Sequence, residues 1–110
     1  MKSQNKFKDS LVNTLRKLKS ERMREWHIKV TRRFERDFRK LPNNIQVRII
    51  ELVEELRSNP YLGKKLRNFP YYSLRVGDYR VIYMIDERER VIILMTVFHR
   101  RVGYRRITSS

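Results

Sequence analysis

Residues 66–85 read LRNFPYYSLRVGDYRVIYMI. Two apolar–polar alternating runs, 71–76 and 79–85, flank Gly77-Asp78. A two-residue connection that begins with Gly predicts a tight β-hairpin, because Gly supplies the positive φ of a primed turn. The implied register sets Val76 against Tyr79, Arg75 against Arg80, Leu74 against Val81, Ser73 against Ile82 and Tyr72 against Tyr83. With a side-chain period of two, Arg75, Arg80, Ser73 and Tyr71 share one face, and Leu74, Val81, Tyr72 and Tyr83 share the other. Two arginines directly opposite each other repel unless an anion lies between them. The hairpin is therefore a candidate phosphate site.

Beyond the hairpin, residues 86–90 read as a charged turn. Residues 91–98, VIILMTVF, are apolar throughout and rich in β-branched side chains. Such a run predicts an interior strand covered on both faces. Residues 61–69 read as a basic connection carrying Lys64, Lys65 and Arg67, whose charges suit tracking of a phosphate backbone. Further back, Ile45, Ile49, Leu52, Val53 and Leu56 form a helical stripe, with Glu51, Glu54 and Glu55 on its solvated side. Pro42 suits the first position of that helix, and Asn59-Pro60 stops it. A shorter helix is marked by Phe34, Phe38 and Leu41, with Thr31 as its cap. Trp26, Ile28 and Val30 alternate as a short strand.

Residues 1–24 are basic, with Phe7, Leu11, Leu15 and Leu18 near helical spacing, and predict an amphipathic extension. The order is (α)βααβββ, a small α+β domain over residues 25–107 with a helical hairpin packed on a mainly antiparallel sheet. Residues 108–110 are a tail.

The chain has 110 residues, enough for one domain with a modest core. Without cysteine, disulfides and thiolate chemistry are excluded. His27 and His99 form no helical ligand pair, so a zinc site has little to build on. No apolar run approaches the roughly 20 residues that span a bilayer. The basic N-terminus lacks the apolar centre of a signal peptide, so a cytoplasmic protein is expected. Basic residues outnumber acidic ones 27 to 12, for a formal charge of +15. Adaptation to heat enriches both signs together, so this imbalance points to a polyanionic partner.

The wording LRVGDYRVIY, followed by a buried strand and then HRRVGYRR, resembles the RelE/ParE superfamily of type II toxin–antitoxin toxins, and most of all its RelE branch. The resemblance spans roughly residues 26–107. It implies a toxin that enters the ribosomal A site and cleaves mRNA there without a metal or any small-molecule cofactor. In that reaction the ribose 2′-hydroxyl attacks the adjacent phosphate. Its partners would be the ribosome, mRNA and an acidic RelB-like antitoxin, with no membrane.

By position, Arg80 matches the family's hairpin arginine and Arg75 a neighbouring backbone-binding residue. Arg100 falls where an arginine acts at the scissile phosphate, with Arg101 beside it. Tyr104 stands near a tyrosine that stacks on the nucleotide. Arginine suits such work because its planar fork binds phosphate bidentately. The family's two lysine positions on the first hairpin strand are occupied here by Tyr71 and Ser73. Tyr71 offers a ring for base stacking instead. His99 is a candidate base, since an imidazole titrates near neutrality, and Lys64 or Lys65 offers another group from the loop. Two further readings remain open: a ParE-like poison of DNA gyrase, and a relative that binds RNA or antitoxin without cleaving.

Overall fold

The computed structural model describes residues 26–102. The expectations for residues 1–24, for Tyr104 and for the C-terminal tail lie outside the described residues.

Strand β1 (His27–Val30) leads into helix α1 (Arg32–Arg39). Thr31 caps that helix as expected, its hydroxyl oxygen accepting from the Phe34 N–H at 3.0 Å. Helix α2 (Asn43–Ser58) follows after three residues. Pro42 is its N-cap rather than its first helical residue, a shift of one position from the sequence reading. The two helices lie on one face of the sheet, and their apolar stripes form the core. Phe34, Phe38, Ile49, Val53 and Leu56 are fully buried there against Val81, Tyr83, Ile92 and Leu94. Each such side chain contributes about 1.5–3 kcal/mol relative to exposure.

Among the described residues the sheet has five strands, in the order β1 (His27–Val30), β5 (Val91–His99), β4 (Tyr79–Asp86), β3 (Tyr72–Val76) and β2 (Lys64–Lys65). Strands β3 (Tyr72–Val76) and β4 (Tyr79–Asp86) form the hairpin, and β5 (Val91–His99) is the long interior strand. β5 pairs antiparallel with β4 and parallel with β1. It is buried along most of its length, at Val91, Ile92, Leu94, Thr96, Val97 and Phe98. A fifth strand, β2 (Lys64–Lys65), lies in the stretch expected to be a plain connection. Two residues are too few to show a period of two, which is why the sequence hides it.

Two ties set where these elements begin. The Trp26 N–H donates to the Arg57 carbonyl at 3.1 Å, and the Arg57 Nε donates back to the Trp26 carbonyl at 3.4 Å. Arg57 is 2% exposed and also lies 3.6 Å from Glu54, as a buried cation requires. No helix among the described residues is long and apolar enough to cross a membrane.

Candidate nucleic-acid interface

All five hairpin pairs occur in the register read from the sequence. Gly77 has φ of +61°, and it alone of the two turn residues is left-handed, as a turn with Gly first requires. Continuing the pairing across β2 and β5 gives rows of side chains that share a face. Arg75, Arg80 and Phe98 form one row, and Lys64, Ser73, Ile82 and Thr96 form the next on the same face. The opposite face, toward the helices, carries Val76, Tyr79 and His99, and beside them Lys65, Tyr72, Tyr83 and Leu94.

The two facing arginines do not meet symmetrically. Arg75 is exposed and turns along its own strand, its Nε donating to the Gly77 carbonyl at 3.0 Å. It lines a depression of about 160 Å³ together with Arg48, Glu51 and Glu55 of α2. Repulsion between the pair is thus relieved by moving one guanidinium to the sheet edge, near carboxylates. Arg80 is half-buried on the face.

The far end of β5 closes on the hairpin turn. The Arg100 N–H donates to the Asp78 carbonyl at 2.7 Å, so the backbone of Arg100 is held beside the turn that separates Arg75 from Arg80. His99 is placed apart from them. Its ring meets Tyr79 edge-on at 5.1 Å, on the helix side of the sheet, and its Nδ1 accepts the Arg101 N–H at 3.1 Å. The structure therefore sets Arg80 and the backbone of Arg100 at the hairpin end of the sheet, turns the Arg75 guanidinium aside toward Gly77, and leaves His99 on the other face.

A β-bulge produces that arrangement. Between Ile82 and Tyr83 the register of β4 against β5 shifts, with Tyr83 paired to Leu94 and Ile82 to Thr96, so that Met95 is the extra residue. Met95's carbonyl accepts the Thr31 hydroxyl at 2.8 Å, and Leu94's carbonyl accepts the Thr31 N–H at 3.1 Å. The residue that caps α1 also holds the bulge.

The basic loop is organised rather than open chain. The Tyr83 hydroxyl donates to the Pro60 carbonyl at 2.8 Å and accepts the Gly63 N–H at 2.9 Å. Burial pushes the Tyr83 phenol up to about 12. A Cβ on Gly63 would lie 2.7 Å from that hydroxyl and 2.9 Å from the Ser73 carbonyl, so glycine is needed for the close approach. From β2 onward, residues 64–68 line an open groove of about 730 Å³ that takes in Lys64, Lys65 and Arg67. Asn68 is left-handed at φ +66°, and the Leu66 N–H donates to the Tyr71 carbonyl at 2.8 Å, closing the loop. Tyr71 precedes the strand and stacks on Phe69, with ring centroids 6.2 Å apart and 17° between planes. Ser73 is 5% exposed.

The sequence reading missed the Tyr83–Gly63 clamp and the Met95 bulge. Gly63 ahead of two lysines was the one local hint of the first. The second has none, because residues 91–98 show no alternation from which a slip of phase could be read.

A family model described as the ParE toxin of type II toxin–antitoxin systems matches residues 28–104. The chain is 37% identical over 84 residues to Toxin RelE of Mycobacterium tuberculosis, covering 73% of this chain and 87% of that protein. To Toxin RelG of the same organism it is 34% identical over 83 residues, covering 72% and 95%. Among solved structures, the toxin–antitoxin complex RelBE2 of M. tuberculosis matches with a TM-score of 0.64 at 31% identity, covering 69% of this chain and 99% of that one. The archaeal RelE–RelB complex of Pyrococcus horikoshii matches with a TM-score of 0.62 at 25% identity, covering 68% and 94%.

Proposed function

The chain belongs to the ParE toxin family of type II toxin–antitoxin systems and lies close to RelE, and from that premise we propose that this toxin is a ribosome-dependent mRNA endonuclease. The observation that carries the reading is the hairpin end of the sheet, where Arg80 lies half-buried on its face and the backbone of Arg100 is tethered beside the turn. Permanent cations fixed by strand backbone suit a phosphate whose charge rises during reaction, since little reorganisation is then needed.

In the proposed reaction the 2′-hydroxyl passes its proton to a water molecule and bonds to the adjacent phosphorus. The bond from phosphorus to O5′ breaks, and O5′ takes up a proton. The ends are a 2′,3′-cyclic phosphate and a free 5′-hydroxyl. Arg80 grips the non-bridging oxygens, and Arg100 serves the leaving oxygen. Tyr104 stacks on a neighbouring base, an interaction worth about 1–3 kcal/mol where it occurs. Lys64, Lys65, Arg67, Arg75 and Arg101 track the backbone and make affinity salt-dependent. His99, on the helix side, has no direct part in this scheme. An acidic RelB-like antitoxin would cover the cationic corner, in keeping with the RelB partners of the structural relatives.

The test adds purified protein to ribosomes carrying a defined mRNA and maps 3′ ends by primer extension. Codon-dependent cleavage is expected, with the rate falling about 10²–10³-fold in Arg80→Ala, the usual loss for one transition-state donor. The buried Ser73, standing where RelE-type toxins carry a lysine, favours one alternative, a ParE-like poison of DNA gyrase. Absence of cleavage together with inhibition of gyrase supercoiling would select it.

A further inference from the structure

We infer that Lys64, and not its neighbour Lys65, is the lysine of the cationic corner, forming one phosphate-binding unit with Arg80. The inference rests on the RNA reading above and adds a residue to it. Adjacent strand residues point to opposite faces, so only one of the two lysines shares a face with Arg80. The register decides which. Lys64 pairs with Ser73, in the row next to Arg75 and Arg80, whereas Lys65 pairs with Tyr72 and joins the helix-side row that leads to Tyr83.

Two strand spacings and two residues of rise separate the Cα atoms of Lys64 and Arg80, roughly 12 Å. Two long basic side chains span that gap when they converge on one phosphate or on consecutive phosphates. Ser73, short and 5% exposed, places no charge of its own in the row. The position opposite it is filled by an ammonium from the next strand. Lys64 is also held in place. Its predecessor Gly63 is clamped by the Tyr83 hydroxyl, which is bonded in turn to Pro60, and this keeps a two-residue strand in register.

The test is a double-mutant cycle on binding of a fully 2′-O-methylated single-stranded RNA, which cannot be cleaved, measured by fluorescence anisotropy. Proteins compared are the parent, Lys64→Ala, Lys65→Ala, Arg80→Ala and the two double variants, each checked by circular dichroism and a thermal melt. If Lys64 and Arg80 act as a unit, their combined loss is smaller than the product of the separate losses by about threefold or more. Lys65→Ala weakens binding by itself, and its loss multiplies independently with that of Arg80→Ala. Tyr83→Phe, which removes only the clamping hydroxyl, should reduce the Lys64–Arg80 coupling. Independent losses for Lys64 and Arg80, or stronger coupling through Lys65, overturn the inference while RNA binding by the parent still stands. A parent protein that neither binds this RNA nor cleaves on ribosomes overturns the RNA reading itself and this inference with it.

Discussion

The β3–β4 hairpin and the β5 strand beside it are built from the same kinds of residue, yet only one of them is governed by its own local sequence. In the hairpin, a two-residue turn with a left-handed Gly77 leaves a single register, and all five predicted pairs are observed. In β5 nothing local marks a phase. A regular ladder continued from Tyr83–Leu94 would set Arg80 against Val97 and bring His99 to the arginine face. The extra residue at Met95 sets Arg80 against Phe98 instead and turns His99 toward Tyr79. A register is local when a turn dictates it. Otherwise it depends on which distant group captures a carbonyl, here the hydroxyl of Thr31.

The largest effect that tests this contrast is in the shared core. Leu94, fully buried opposite Tyr83 at the edge of the bulge, should cost about 2–5 kcal/mol on change to Ala. Chemical denaturation measures it, and a loss under 1 kcal/mol would show that β5 does not hold the phase described. Next comes Thr31→Val, which removes both the helix cap and the bond to Met95, about 1–3 kcal/mol together. Amide exchange should then accelerate around residues 94–96 but not in the hairpin. Equal acceleration in both would break the comparison.

Gly77→Ala forces a Cβ into a left-handed turn and should cost about 1–2 kcal/mol, with the register surviving because two residues still connect the strands. The last effect shows only at alkaline pH. Tyr83 has its phenol raised by burial to about 12, so the folded state keeps a proton that the unfolded chain releases near pH 10. Stability is therefore whole below pH 10 and falls as pH rises from 10 toward 12. Tyr83→Phe should remove that part of the slope, as thermal melts across the range would show.

Much of the fold was legible because its signals are short-range. Thr31 before Phe34 and Phe38, the stripe from Ile45 to Leu56, and Asn59-Pro60 each place an element edge within a residue or so. The candidate site was legible only in its hairpin half. That Arg75 and Arg80 face each other followed from the turn. That Arg75 turns away to the Gly77 carbonyl, and that Arg100 is tethered at Asp78, did not. Those contacts join residues whose proximity exists only once β5 has paired.

The sequence by itself determined the charge that implies a polyanionic partner, the two amphipathic helices, and the hairpin with its facing arginines. Each rests on composition or on a spacing of two to four residues, which the chain carries whatever else it contacts. Only the tertiary structure decided which face of the sheet His99 takes, and which of Lys64 and Lys65 shares the face of Arg80. In a pleated strand that choice turns on a shift of one residue. The shift is set by Thr31 holding the bulge and by Tyr83 holding Gly63, contacts 64 and 20 residues apart in the chain.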